Sequence, residues 1–271
     1  MRPSRPDLVC RAALEAGRVI MDYYRDGFRI ERKTDASPVT DADRAADDII
    51  RRHLEETGIP VISEETSVTP YAGRKNWETL WMVDPLDGTK EFIKHTGEFT
   101  VNIALITEGV PREGLVFAPA KGWMYRTEEG RLWKEIYRQA PGGEFEKTAG
   151  HILSDIPPSD DVCASISHAD AHTRAFVERY RAEYPQSRLI SIGSSLKFAL
   201  LAEGRAGIYP RFSPTMEWDT AAGHALLRAV GGEVWDVSTG KPVRYNRENL
   251  RNGSFIAAAP HIRQEKAFTW I

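Results

Sequence analysis

At 271 residues the chain can bury a sizeable core, and two modest lobes sharing an interface are expected rather than one large domain. Its 36 Lys and Arg against 39 Asp and Glu leave a formal charge of −3, which argues against a broad surface for nucleic-acid polymers or membranes and leaves any cationic site local. The two cysteines, Cys10 and Cys163, provide neither a disulfide framework nor a metal-ligand spacing, and no apolar run approaches the roughly 20 residues of a membrane span. The expectation is a cytoplasmic protein with no integral membrane segment, loose attachment to an inner membrane being left open.

In chain order, Leu8, Val9, Ala12, Ala13, Ala16, Val19, Ile20 and Tyr23 recur at helical spacing over residues 7–24, with Asp7 as the expected N-cap. Pro38 keeps residues 37–40 extended. A second helix is predicted from Asp41, with Ala42, Ala45, Ala46, Ile49, Ile50 and Leu54 on one face and Asp43, Asp47 and Asp48 as carboxylates suited to the helix dipole. Residues 60–65, PVISEE, read as a short strand ending in acid. From residue 81 consecutive antiparallel strands are expected at WMVD, 99–106, 113–117 and 122–126, separated by Gly and Pro turns. A shift to Pro, Gly and polar residues over 140–158 places the lobe boundary near 150, giving lobes 1–150 and 151–271. Beyond it strand and helix patterns alternate, at 162–167, 173–183, 189–192, 195–202, 207–209, 220–230 and 254–258, which predicts a layered α/β lobe.

Carboxylates stand at the ends of predicted strands or the starts of predicted helices in four places: Asp43, Glu64 with Glu65, Asp84 with Asp87, and Glu217 with Asp219. Strand ends can project such groups together into a crevice, and repelling carboxylates need a cation to share it. Converging hard oxygen ligands suit Mg²⁺. In WMVDPLDGTKEF, Pro85 and Gly88 turn the backbone tightly enough for Asp84, Asp87 and the Leu86 carbonyl to face one point, while Gly88 and Thr89 can offer N–H groups to an anion. Metal plus phosphate is the chemistry that this loop fits.

WMVDPLDGTKEF followed by EFTVNIALI, the upstream ISEE and the downstream EWDTAAGHALLRAVGG resemble the signatures of the inositol-monophosphatase superfamily of Mg²⁺-dependent, lithium-sensitive phosphatases. Within it SPVTDAD, DGTKEFIK, ISHAD, SIGSSLKFALLAEG and YPRFSPTMEWDTAAGHA are similar to the 3'(2'),5'-bisphosphate nucleotidases, over about residues 37–245. The resemblance implies the αβαβα sandwich shared with fructose-1,6-bisphosphatase and removal of the 3'-phosphate from 3'-phosphoadenosine 5'-phosphate. It implies about two to three Mg²⁺ ions, with inhibition by Li⁺. Glu64, Asp84 and the Leu86 carbonyl would hold the first ion, and Asp84, Asp87 and Asp219 the second. A third, weaker ion would sit by Glu64.

In that scheme Thr89 and Asp43 position the attacking water and accept its proton. Glu64, Asp87, Gly88, Thr89 and Asp219 face the scissile phosphate. Lys197 and Arg211, with Ser194 donating nearby and His168 close to the base or sugar, hold the nucleotide and the phosphate that is not hydrolysed. Plainer readings stay open: Asp43 as an ordinary helix charge beside Asp41, Lys197 as a solvated helix residue, Arg211 as a surface strand end and His168 as a structural hydrogen-bonder. Glu65 is read as a neighbour of the metal ligands and Glu217 as a solvated or capping residue. An inositol or sugar phosphatase of the same fold, or a silent phosphate-binding protein, remains the alternative, and monomer and homodimer are equally open.

Overall fold

The computed structural model describes residues 4–32, 38–66, 68–164 and 170–271. Helix α1 (Arg5–Asp26) starts where the Ser4 hydroxyl accepts the Asp7 amide, so Ser4 and not Asp7 is the N-cap. Pro6 fits the first turn because an amide there has no intrahelical acceptor to lose. A short antiparallel ribbon, β1 (Ile30–Arg32) with β2 (Pro38–Thr40), leads into α2 (Asp41–Glu55). The predicted apolar face of α2 is buried except for the half-buried Ala45, and two acids, Asp43 and Asp47, are buried with it.

The large sheet takes its seven strands in sequence order: β3 (Val61–Ser63), β4 (Thr79–Asp87), β5 (Thr100–Thr107), β6 (Val110–Ala118), β7 (Trp123–Glu128), β8 (Arg131–Gln139) and β9 (Phe145–Leu153). All neighbours are antiparallel except β3 and β4, whose parallel pairing needs a crossover and receives it through α3 (Tyr71–Arg74). Short helix α4 (Thr89–Ile93) follows β4 directly. Strands β8 and β9 fall where the sequence predicts none, and residue 150 lies inside β9. Most of β9 is exposed as the sheet edge, so it lacks the alternation that marks a half-buried strand.

The second sheet is assembled from shorter pieces: β10 (Val162–Cys163), β11 (Leu189–Ile190), β12 (Ile208–Arg211), β14 (Glu233–Asp236) and β16 (Phe255–Ala258), in the order β11-β10-β12-β16-β14. Helices α5 (Ala171–Glu183), α6 (Leu196–Ala202) and α7 (Glu217–Ala229) alternate with them, and a small ribbon pairs β13 (Thr215–Met216) with β15 (Arg251–Asn252). A last short helix, α8 (Gln264–Ala267), precedes the C-terminal Trp270.

Packing stacks these elements in the expected αβαβα order. Ala12, Ala16 and Ile20 of α1 and Ile50 and Leu54 of α2 meet Val83, Val101, Ile103 and Phe117 on one face of the large sheet. On its other face Met82, Ala104 and Val116 meet Phe198 of α6 and Ala222 and Leu226 of α7, which also touch Tyr209, Phe255 and Ala257 of the second sheet. Phe176 and Trp270 cover that sheet's far side, against Val162 and Ile208. Strand β5 is therefore buried on both faces, at about 1.5–3 kcal/mol for each large apolar side chain removed from water. Helices α6 and α7 approach so closely that a Cβ at Gly223 would lie 2.4 Å from the Phe198 ring. Among the described residues no helix is long and apolar enough to cross a membrane.

Candidate metal and phosphate site

The opening motif lies at an irregularity in β4. Its ladder with β5 is regular up to Asp84 opposite Asn102, then skips Pro85 and Leu86 and resumes at Asp87 opposite Thr100. Pro85 has no N–H for the ladder, and the bulge re-aims the residues around it. Asp84 is buried, and its Oδ1 accepts the Leu86 amide at 3.1 Å. One oxygen of Asp87, Oδ2, accepts the Ser195 amide at 2.6 Å and the Asn102 side-chain amide at 3.4 Å. Gly88 then takes φ 94°, and a Cβ there would sit 2.9 Å from the Glu98 carbonyl oxygen, so the turn needs glycine twice over. The Thr89 hydroxyl lies 3.1 Å from Asp43 Oδ1 and 3.3 Å from the Leu86 carbonyl oxygen, both of which can accept its proton.

Chain segments far apart in sequence complete an acidic group. Glu64, at the end of β3, Asp84, and Asp219, in the first turn of α7, each offer an oxygen, and these atoms lie within 4.8 Å of one another. Asp219 is oriented by the Met216 amide, which donates to its Oδ2 at 2.8 Å. Asp43 is held in the same manner at the start of α2, where the Thr40 amide and hydroxyl donate to its Oδ2 at 2.8 and 2.6 Å. Asp41, the alternative to Asp43, faces away and accepts the Arg29 amide at 3.3 Å. Burial, then repulsion from neighbouring carboxylates, pushes Asp84 and Asp219 well above the usual carboxylate range. Asp87 is pushed up to about 6 by burial, opposed by Lys197 and by the Ser195 amide. An all-oxygen donor set crowded to this degree fits a hard divalent cation, which supplies the charge that lets the acids stay ionised together. Glu64, Asp84, Asp87 and Leu86 line one cleft of about 620 Å³, and Asp219 closes it from α7.

A second cleft, about 190 Å³, adjoins the first and shares Asp87, Gly88 and Asp219 with it. Ser194, Lys197 and Arg211 line it. Lys197 is buried rather than solvated: its Nζ donates to the Ser194 carbonyl at 2.9 Å and sits 5.4 Å from the centre of the Tyr209 ring. Burial lowers its ammonium below the ordinary lysine range, although Asp87 opposes the shift. Arg211 is half-buried, with Nε donating to the Ser213 carbonyl at 3.2 Å. Ser194 takes a left-handed φ of 51°, which turns the chain into α6. His168 lies outside the described residues.

Several groups have roles that their sequence pattern does not show. Glu217 is wholly buried instead of solvated, and its Oε1 accepts the Arg247 Nε at 2.8 Å. Asp47 is buried too, accepting hydroxyls from Ser63 and, at 3.3 Å, Thr66, and so ties α2 to the end of β3 beside Glu64. Ser195 ties the start of α6 to β5: its hydroxyl lies 2.8 Å from the Thr100 hydroxyl and donates to Asn102 Oδ1 at 2.7 Å. Asn102 carries a signal as well, a lone amide in the otherwise apolar run VNIALI.

The profile of the inositol monophosphatase family matches residues 6–269, and the chain belongs to that family. Among its relatives, the 3'(2'),5'-bisphosphate nucleotidase CysQ of Escherichia coli strain K12 is 45% identical over 258 residues, covering 92% of this chain and 97% of that protein. The CysQ of Haemophilus influenzae is 30% identical over 267 residues, covering 95% of this chain and 92% of its own. The crystal structure of CysQ from Bacteroides thetaiotaomicron, a bacterial member of the family, superimposes with a TM-score of 0.80 at 42% identity, covering 93% of this chain and 96% of that one. Staphylococcal IMPase-I, crystallised with products, shares the fold at a TM-score of 0.73 and 18% identity, over 98% of this chain and 93% of that one.

Proposed function

We propose that this protein is a Mg²⁺-dependent 3'(2'),5'-bisphosphate nucleotidase that hydrolyses 3'-phosphoadenosine 5'-phosphate to AMP and phosphate. The observation that carries the reading is that the acidic cleft adjoins, across Asp87, Gly88 and Asp219, a second cleft to which Lys197 and Arg211 contribute cations. An acidic cleft beside one that adds Lys197 and Arg211 suits a substrate with two phosphates, one to be cleaved and one to be gripped. The CysQ relatives support the same substrate class.

Glu64, Asp84, Asp87, Asp219 and the Leu86 carbonyl would hold about two to three Mg²⁺ ions. When bound, Mg²⁺ supplies Lewis-acid activation of water and neutralises charge on the phosphoryl oxygens. Thr89 Oγ1 orients the attacking water and, while donating to Asp43 Oδ1, relays its proton towards that carboxylate. Burial raises the Asp43 pKa above the usual carboxylate range, against the opposing bonds from Thr40 and Thr89, which makes it a better proton acceptor than an exposed aspartate. Water oxygen bonds to phosphorus, the bond from phosphorus to the 3'-oxygen breaks, and that oxygen leaves as the ribose hydroxyl once protonated. Lys197, Arg211 and Ser194 meanwhile hold the 5'-phosphate, with a cation held in place by its own carbonyl and aromatic partners.

Phosphate release from a panel tests this: 3'-phosphoadenosine 5'-phosphate, its sulfated analogue, inositol 1,4-bisphosphate, inositol 1-phosphate and AMP, each with and without Mg²⁺ and with added Li⁺. The expected outcome is Mg²⁺-dependent turnover of the adenosine bisphosphates above the monophosphates, with inhibition by Li⁺. Faster turnover of inositol 1-phosphate would reassign the substrate to inositol phosphates. Nucleotide binding without phosphate release in Mg²⁺ would refute catalysis.

A further inference from the structure

Arg74 is buried at 2% exposure, and among the described residues no carboxylate pairs with it. Its guanidinium is spent on oxygen acceptors of the neutral backbone and an amide. Nε donates to the Thr69 carbonyl at 3.1 Å, Nη1 to Asn246 Oδ1 at 2.7 Å and the Arg247 carbonyl at 2.9 Å, and Nη2 to the Glu248 carbonyl at 3.1 Å. Asn246 Nδ2 returns a bond to the Arg74 carbonyl at 3.0 Å. One fork thus grips three successive residues of a turn that lies far along the chain.

The other side of that turn is gripped by Glu217. Its Oε2 accepts the Asn246 amide at 2.6 Å, and its Oε1 accepts the Arg247 amide at 3.2 Å and Nε at 2.8 Å. The Glu217 amide donates to the Leu250 carbonyl at 2.8 Å, and Asn252, which accepts Arg247 Nη2 at 2.7 Å, donates to the Met216 carbonyl at 2.8 Å. Asn246 itself holds φ 64°, a left-handed conformation that costs energy outside glycine and persists where surroundings fix it.

One grip shares a helix with a metal-ligand candidate, and the other lies on the crossover that leaves β3 at Glu64. Arg74 lies in α3, which follows Glu64 in the chain, and Glu217 opens the helix whose first turn holds Asp219. Glu64 and Asp219 repel each other, so a rigid connection is needed to keep them within ligand spacing before an ion arrives. We propose that Arg74, the 246–248 turn and Glu217 form a positioning brace that fixes the Asp219 end of α7 relative to the Glu64 segment and thereby sets the affinity for divalent cations. This rests on the metal reading given above.

The test is Mg²⁺ binding to the purified full-length chain by titration calorimetry without substrate, beside the Mg²⁺ dependence of phosphate release. Glu217→Gln and Arg74→Lys are each expected to weaken Mg²⁺ binding by about 10-fold, as supporting residues around metal ligands do. The double variant should be no weaker than the worse single one, because both act through the same turn. At saturating Mg²⁺ kcat should return to within about 3-fold of the parent. Asn246→Gly is the milder variant if either folds poorly, since glycine accommodates the left-handed backbone while both bonds to Arg74 are lost. Glu233→Gln removes the charge that Glu233 sets against His224 and Arg228, near the far end of the same helix, and should lower the melting temperature without moving the Mg²⁺ affinity.

Brace variants that lose thermal stability yet keep the parent Mg²⁺ affinity would overturn the proposal, as would strictly additive losses in the double variant. Asp219→Asn separates the two levels. Unchanged Mg²⁺ binding in Asp219→Asn refutes the metal reading itself, whereas weakened binding there with unchanged binding in the brace variants refutes the brace alone.

Discussion

Strands β4 and β5 run 9 and 8 residues and bury nearly every side chain, whereas the strands of the second sheet run 2 to 4 residues. Glu64, Asp84 and Asp87 stand on or beside the long ladder; Arg211 ends the short strand β12, and Lys197 and Asp219 stand in the first turns of α6 and α7. The first region therefore fixes its backbone with ladder hydrogen bonds, which substitutions other than proline leave in place. The second relies on side chains that bond to backbone, such as Lys197 to the Ser194 carbonyl and Glu217 to the 246–247 amides. Changes in the first region should alter chemistry while the fold survives, and changes in the second should alter affinity or local order.

The largest effect expected is in the first region. Asp84→Asn keeps shape but removes one charge from a buried, mutually repelling group, and phosphate release should fall by about 10³-fold or more. In chelator the same variant should melt above the parent, because the repulsion it relieves has no compensating cation. A melting point below the parent would contradict the contrast between regions, and retained turnover would contradict the metal assignment. Next comes Lys197→Met in the second region, which keeps much of the buried volume and loses the charge. KM for an adenosine bisphosphate should rise about 10- to 100-fold, or about 1.4–2.8 kcal/mol, with kcat changed much less. Steady-state kinetics against a monophosphate, whose KM should hardly move, checks it.

Gly88→Ala probes the seam between the regions. The new methyl group would have to occupy the space 2.9 Å from the Glu98 carbonyl in a left-handed backbone, for a loss of about 1–3 kcal/mol in chemical denaturation. Full stability in this variant would show that the turn after Asp87 is looser than its geometry.

How much of this was legible in the sequence follows the same division. Asp84, Asp87, Gly88 and Thr89 are neighbours in the chain, so proline, acid and glycine spell out their turn directly. Strands β5 to β7 were legible from their apolar runs and turns. Helix α6 was placed, but all seven of its residues are buried, and a helix buried all round has no polar face from which to tell that Lys197 points inward. Glu217 reads as a solvated or capping residue and Asp47 as a charge suited to the helix dipole, because their partners, Arg247 with the 246–247 amides and Ser63 with Thr66, are fixed only by the tertiary fold. The edge strand β9 was missed for the opposite reason: exposed on both faces, it has no burial pattern to read.

The smallest effect expected lies at the edge of the second sheet, where β10 and β11 pair through only 2 residues each. Asp161 precedes β10, and its carboxylate takes the Arg188 amide at 2.7 Å, Nε at 3.0 Å and Nη2 at 2.6 Å, just before β11. Burial raises the Asp161 pKa, but the Arg188 side chain and amide outweigh it and leave the carboxyl below the usual range. A group whose folded pKa is depressed stabilises the fold above its unfolded value and loses that contribution as pH falls through the folded value. Asp161→Asn should therefore melt about 2 °C lower than the parent near pH 7, for a loss of about 1 kcal/mol or less given the exposed guanidinium. The gap should close as pH falls below about 4. Melting curves across that range decide it: a gap independent of pH would assign the bridge's contribution to packing rather than charge, and no gap at all would mean that the short strands hold without it.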